Sequence, residues 1–551
     1  MIAKSMRRTE IEIRDYMYED VRLSDLEREI VDTEEFQKLR RRNQLPITQY
    51  VYPTATHTRF SHSIGTMNVA TRIFDNIPEI QDRMKKGDDK TEWLRRCTRI
   101  TALLYDITDP PFYQVFNEDM ENREIIGKVL KETRLETIKK MFDSLKNAKE
   151  YDVSFEDISD ILENDNTPNK FIRQIIDSEV GANRIDYLFR DSHFCGIHYG
   201  KIDSRILNMF KLRGDSELVL SREAIPLADN IFHALFSMRY NVYDHKVSRI
   251  ITRMFYETYK TMLKTKRKRR EDMIRELATF DDREFIEALE KFEENNKWVK
   301  DYVGRVYRRR DLLKTAYVLE AAAIKDIRLV PDLDNLREKR DDLEKDIKKH
   351  YDVNVLLDFA PITTPRTTNL NVEIDDQAVP LSSSPLLCEW YSQEGVLGLG
   401  DKALTQWKMI VISEKEEQQK ATDVSTKLFV PFLIGKKKIP DVKIASIQQL
   451  YNKVKDINYE RTIDEYRFKI ISLSNAKRER LLKIYEINKP ITSKDLAKHT
   501  KKSVSIENTY LENLYTGRLL ERERAGHSYQ YVPTLEVRKA LEQLKLGASH
   551  I

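Results

Sequence analysis

The stretch VYPTATHTRFSHSIGTMNVATRIF (residues 51–74) decides how this chain folds. A loop punctuated by Pro and Thr runs into a helix that opens near His62. Two further segments carry the remaining chemistry-bearing side chains of this part: ALLYDITDPPFYQVF (102–116) and GANRIDYLFRDSHFCGIHYG (181–200). Working outward, EIVDTEEFQKLRRRNQL (29–45) places Ile30, Phe36, Leu39 and Leu45 near one helical face. TRITALLYDI (98–107) reads as a buried helix, and residues 228–263 read as one long helix. MFKLRGDSELVLS (209–221) alternates about an Arg-Gly-Asp turn and predicts a short hairpin.

The 551 residues suggest three or four domains, at roughly 150 residues each. Only 15 glycines and 16 prolines favour long helices over a turn-rich sandwich or barrel. The formal charge of +4 excludes a globally basic nucleic-acid coat protein, though not a local basic patch. Three separated cysteines, with no C-x-x-C pair, give neither a disulfide framework nor a zinc ribbon. There is no apolar run of membrane-spanning length and no signal-like apolar stretch near the start, so a cytoplasmic protein with no membrane partner is expected.

Basic runs at Lys264–Arg270 and Arg308–Arg310 read as solvated faces or, alternatively, phosphate sites, and 335–350 as a helix laced with ion pairs. After about residue 350 the texture changes. VNVLLDFAPITTPRTTNLNVEIDD and KLFVPFLIGKKKIPD predict a small α+β insert, with a glycine-bearing loop between them. GVLGLG lacks the Lys-Ser/Thr of a phosphate loop. The last seventy residues read as helix, helix, helix, hairpin and closing helix, the plan of a winged helix over about 475–545. The expected layout is therefore a helical core with a helical extension (1–350), the insert (351–440), and linking helices with the winged helix (441–551).

The motifs R-F-x-H-S, the Tyr105-Asp106 doublet, N-R-I-D-Y and VYDHK, with EFQKLRRRNQL before them, resemble the HD-domain phosphohydrolases. Within these, they resemble the deoxynucleoside triphosphate triphosphohydrolases of the SAM- and HD-domain type. The likeness spans about residues 10–260 and implies a mainly α, multi-helix core. It also implies a metal centre held by two histidines and two aspartates, which suits a divalent ion that activates water. The matching positions are His62, Tyr105, Asp106 and Asn183, so a histidine and an aspartate are replaced. The histidines that follow the doublet in the family correspond to Asp109 and Gln114. The resemblance thus implies a degenerate metal site. The expectation is no bound cofactor, or a weakly held Mg²⁺ or Mn²⁺ at His62, Asp106 and Asp109, with Asp109 the candidate catalytic residue.

The nucleotide-holding positions fare better. Gln37 and Arg59 match sugar and phosphate contacts, Arg184 a phosphate contact, Tyr187 and Asp191 the pair that reads the 3′-hydroxyl, and Tyr243 a wall of the sugar pocket. Alternatively, Tyr187, Arg190 and Asp191 form a structural cluster, and His57 and His245 are packing or capping residues. The resemblance favours a nucleotide-sensing or scaffolding protein with little or no hydrolysis. Its rivals are an active triphosphohydrolase and a DNA-binding regulator. A deoxynucleotide ligand and a homo-oligomer are the implied partners. In the tail, Lys477–Lys545 holds 15 basic and nine acidic residues. Lys498, Lys501, Lys502, Arg522 and Arg524 are the candidate nucleic-acid contacts, with a protein partner as the alternative. Glu507 and Glu512 on the third helix count against insertion into a groove.

Overall fold

The computed structural model describes residues 11–146, 152–214, 216–265, 269–296, 300–320, 336–360, 370–381, 408–434, 473–526 and 528–548, with scattered residues between 444 and 471. They fall into two compact units, Met1–Lys427 and Leu428–Ile551. The fold is mainly helical with small sheets.

The first unit opens with an antiparallel hairpin, β1 (Ile11–Asp15) and β2 (Glu19–Leu23). Its core is built on α1 (Arg59–Asn76), where polar His62, Ser63 and Thr66 are buried along with Phe60, Ile64, Met67 and Phe74. A helix buried nearly all round belongs at the centre of a bundle. α1 packs against α2 (Asp89–Leu104) and, farther along the chain than α3 (Arg123–Ser144), against α4 (Ala182–Phe194). Gly65 permits the α1–α4 approach: a Cβ there would lie 2.0 Å from Asp186 Oδ1. Each large apolar side chain fully buried in this core contributes about 1.5–3 kcal/mol.

The hairpin expected at 209–221 forms as β3 (Phe210–Arg213) and β4 (Glu217–Ser221). The helix expected over 228–263 is interrupted. α5 (Ile225–Met238) passes through a π-helical turn, Arg239–Tyr243, and the chain restarts as α6 (Lys246–Thr265). The imidazole Nδ1 of His245 accepts from Val247 N at 3.2 Å and so caps the restart. The apolar periodicity runs through the break, which is why the sequence hides it.

β5 (Lys314–Glu320), α7 (Arg340–Tyr351) and β6 (Leu356–Ala360) follow, then β7 (Asn371–Ile374), β8 (Gln377–Pro380) and β9 (Lys408–Ser413). The strands of 351–440 do not make a body of their own. β6 and β9 complete a sheet ordered β5-β9-β6, and β7 and β8 extend β3-β4 through a parallel β4–β7 pair. KLFVPFLI is not extended either: it continues α8 (Gln418–Ile434), which buries Ala421, Ser425, Leu428 and Phe429 on one face. That spacing is helical, and it outweighs the β-branched and aromatic composition. The glycine-bearing loop and GVLGLG lie outside the described residues.

A buried ion network ties these pieces together. Arg249 on α6 bonds Asp358 on β6 at 2.7 and 2.8 Å and Glu118 at 2.6 Å, and Arg340 on α7 also reaches Glu118 at 3.2 Å. Arg308 and Arg309 pair with Glu290 and Asp301, so that basic run is a solvated face.

In the second unit, α9 (Asn475–Ile487), α10 (Ser493–Thr500) and α11 (Val504–Thr516) precede β10 (Leu520–Ala525), β11 (Ser528–Pro533) and α12 (Leu535–Ala548). Thr492 and Asp495 form the capping box that starts α10. Leu481, Ile484, Leu496, Leu511, Leu514 and Leu541 share its core.

Candidate functional site

At the end of α2 the chain turns through Tyr105, Asp106 and Asp109, and Phe112 sits in the left-handed region (φ 50°). A bulky residue holds that conformation only where packing demands it. Phe112 stacks on Phe285 and packs against Phe255, 5.3 Å between centroids in each case. This anchored turn faces α3 and α4 across a pocket of about 440 Å³. Tyr105, Asp106, Asp109, Asn183, Arg184 and Tyr187 line it, and all six are positions singled out from sequence.

His62 lies beneath this wall, 1% exposed. Its Nδ1 is 2.7 Å from Asp186 Oδ2, and its Nε2 is 3.1 Å from Asp106 Oδ2 and 3.2 Å from Asn183 Oδ1. Asn183 Nδ2 in turn donates to Asp106 at 2.9 Å. Burial works against the imidazolium, yet the hydrogen bonds to Asp106 and Asp186 raise His62 to about 9. Arg190 and His62 overcome burial to hold Asp186 down at about 2. Arg190 bonds both oxygens of Asp186 at 2.9 Å and Asp15 at 2.8 Å, which closes the network from behind.

These residues do not fit the family's metal centre. The donors left are one imidazole, one carboxylate and one neutral amide, and each already satisfies another. Tyr105 turns its hydroxyl toward Asp177, and burial together with that carboxylate pushes its ionisation far above the usual phenol range. A phenol kept neutral is a poor metal donor. The alternative set of His62, Asp106 and Asp109 is not assembled, because the carboxylate of Asp109 is bonded to Arg59 at 2.6 Å. Among the described residues no cluster of three or more His, Cys, Asp and Glu side chains is arranged to hold a metal ion.

The other expected nucleotide contacts scatter. Gln37 donates to Val31 O at 2.8 Å and accepts from Arg40 at 2.9 Å, so it is spent on its own turn, outside the pocket wall. Arg59 is 5% exposed and occupied by Asp109. Both oxygens of Asp191 are taken, by His57 Nε2 and by the Tyr243 hydroxyl, each at 2.7 Å. Asp191, His57 and Tyr243 thus form one hydrogen-bonded cluster. Sequence reading missed Thr108, Tyr113, Gly127, Leu130, Lys131, Arg134 and Asp177, which complete the pocket wall. The α3 members repeat at helical spacing, but a lysine and an arginine on an amphipathic helix carry no site signature of their own.

In the second unit, Glu507 on α11 is fully buried and bidentate with Arg480 at 2.8 Å. Glu512 accepts from Arg522 at 2.8 and 2.9 Å and from the Tyr531 hydroxyl at 2.6 Å. Arg522 therefore ties the hairpin to α11, whereas Lys498, Lys501, Lys502 and Arg524 are exposed.

Comparison with known proteins agrees with this architecture. Residues 202–430 match the family model described as an HD associated region. An uncharacterised protein of Methanocaldococcus jannaschii is 29% identical over 384 residues, 68% of this chain and 75% of that protein. The deoxynucleoside triphosphate triphosphohydrolase homologue of Dictyostelium discoideum is 28% identical over 46% of this chain and 50% of its own length. The human deoxynucleoside triphosphate triphosphohydrolase is 27% identical over 45% of this chain and 44% of its own length. The chain thus spans about half the length of these two relatives. A phosphohydrolase structure from Bacteroides thetaiotaomicron superimposes with TM-score 0.53 at 20% identity, over 74% of this chain and all of that one, a likeness of fold. The chain is thus similar to HD-domain phosphohydrolases, and its residues 202–430 match the HD associated region.

Proposed function

We propose that this chain is a non-hydrolytic, or at most very weakly hydrolytic, member of the family. It holds a deoxynucleotide in the pocket between α2, α3 and α4 and acts as a nucleotide-sensing or scaffolding protein. The observation that carries this reading is the closed network of His62, Asp106, Asn183 and Asp186, with Tyr105 turned to Asp177 where the family has a metal histidine. A site whose donors satisfy one another gives a cation little reason to displace them. The test is chromatographic detection of nucleoside and triphosphate from each deoxynucleoside triphosphate, with Mg²⁺ or Mn²⁺, alongside equilibrium binding of the same nucleotides. Binding without product is expected. Product that disappears in His62→Ala would overturn this reading in favour of an active triphosphohydrolase.

The C-terminal unit supports a second role as a winged helix that binds nucleic acid. Because Glu507 and Glu512 are neutralised internally, α11 offers exposed Asn508, Thr509 and Asn513, flanked by Lys498, Lys501 and Lys502. Neutral amides on the helix with cations at its flanks suit backbone binding with limited base contact. Duplex DNA binding that weakens with salt and in Lys501→Glu supports this role. Binding that ignores both leaves the unit as a protein-interaction or homo-oligomerisation module, which sedimentation of the full chain tests.

A further inference from the structure

We propose that Lys131 and Arg134 of α3, together with Arg184, hold the phosphate group of the ligand in this pocket directly, without a divalent cation. The inference rests on reading the pocket as a nucleotide site and adds how the charge of the nucleotide is met.

The cations on hand decide the matter. Arg59, the family's phosphate contact by position, is buried outside the pocket lining and pairs with Asp109 at 2.6 Å through one N–H. The cations that line the pocket are Lys131, Arg134 and Arg184. Lys131 and Arg134 stand three residues apart on one face of α3, so their side chains are neighbours on the wall. A single carboxylate, Glu163, faces both: Lys131 Nζ is 2.7 Å away and Arg134 is also paired with it. One carboxylate against two cations leaves positive charge unspent. The Lys131 side chain is 56% exposed, so its ammonium is free to turn toward a ligand. Among the wall carboxylates, Asp109 has Arg59 and Asp106 has His62 and Asn183, while Asp177 bonds the hydroxyl of Tyr105 and faces Arg184.

Tyr105 links this arrangement to the lost metal centre. The guanidinium carbon of Arg134 lies 5.7 Å from the centre of the Tyr105 ring, within cation–π range. The substitution that withdraws a metal ligand thus also places a ring that positions a guanidinium at the same wall. A planar guanidinium and an ammonium together match a phosphate by geometry and charge.

The test uses the full chain in EDTA, with inorganic triphosphate and 2′-deoxyadenosine triphosphate as titrants in a calorimeter. Lys131→Gln and Arg134→Gln are compared with the parent, their folding checked by circular dichroism. Both titrants are expected to bind in EDTA, and each variant to weaken them by about tenfold, as for the loss of one charge-assisted hydrogen bond. If triphosphate behaves in this way and the nucleotide does not bind, the phosphate site stands and the nucleotide reading falls. Nucleotide binding that requires Mg²⁺ and ignores both substitutions overturns the inference and leaves the nucleotide reading intact. Failure of both titrants to bind overturns both.

Discussion

Asn183→Asp returns a carboxylate to the position where the family has one, and the structure predicts that it destabilises the metal-free protein. Asn183 serves two neighbours at once: Nδ2 donates to Asp106 at 2.9 Å, and Oδ1 lies 3.2 Å from His62 Nε2. Aspartate keeps the acceptor, deletes the donor, and sets a second negative charge against Asp106. Two unit charges about 4 Å apart repel by about 4 kcal/mol at an effective dielectric near 20. The lost hydrogen bond adds about 1 kcal/mol. By the same measure attraction to His62 at 3.2 Å returns about 5 kcal/mol, so the net loss expected is mainly the desolvation of a second buried carboxylate, about 1–3 kcal/mol. The assay is urea unfolding at pH 8 in EDTA, followed by circular dichroism and repeated with Mn²⁺. The variant should unfold at lower urea than the parent, and Mn²⁺ should recover some of the difference in the variant while leaving the parent unmoved. A variant as stable as the parent in EDTA refutes the pairing of Asn183 with Asp106 on which the closed network depends.

Three further outcomes follow from the same packing. Glu118→Gln should cost about 3–5 kcal/mol in urea unfolding, because it leaves Arg249 and Arg340 buried with one carboxylate fewer. Gly65→Ala should cost about 3 kcal/mol or more, as its Cβ would meet Asp186 and Arg190 at 2.0–2.3 Å, and the unfolding midpoint reports it. Burial lifts Asp282 to about 6, against the hydrogen bond from Asn43 N at 2.8 Å and nearby Arg59 and Arg42. A carboxyl raised on folding contributes stability below its unfolded value near 3.8, and that contribution is lost as pH rises through about 6. Asp282→Asn should therefore stabilise the protein by about 1–2 kcal/mol at pH 7.5 and change little below pH 4, as thermal melting at the two pH values will show.

What could be read from residues alone was set by local chemistry. Helical periodicity and the Arg-Gly-Asp turn are decided by neighbours in the chain. The replacements at Tyr105 and Asn183 were implied by the resemblance to the family's motifs, not by local chemistry. The π-helical turn at Arg239–Tyr243 was not legible, since the apolar pattern is continuous across it. Nor was the pairing of strands after residue 350 with β4 and β5, because a strand's partner lies far away in sequence.

The candidate site divides in the same way. Sequence named Asp106, Asp109, Asn183, Arg184 and Tyr187, and those side chains do line one pocket. Only the tertiary structure decided which of the named groups remain available. Arg59 is buried and paired with Asp109, while Asp191 is spent on His57 and Tyr243 and Glu507 on Arg480. Only the tertiary structure, too, brought Lys131 and Arg134 to the wall beside Tyr105. The physical reason is that a side chain's type is local, whereas the partner that satisfies or frees it is fixed by packing between residues tens to hundreds of positions apart.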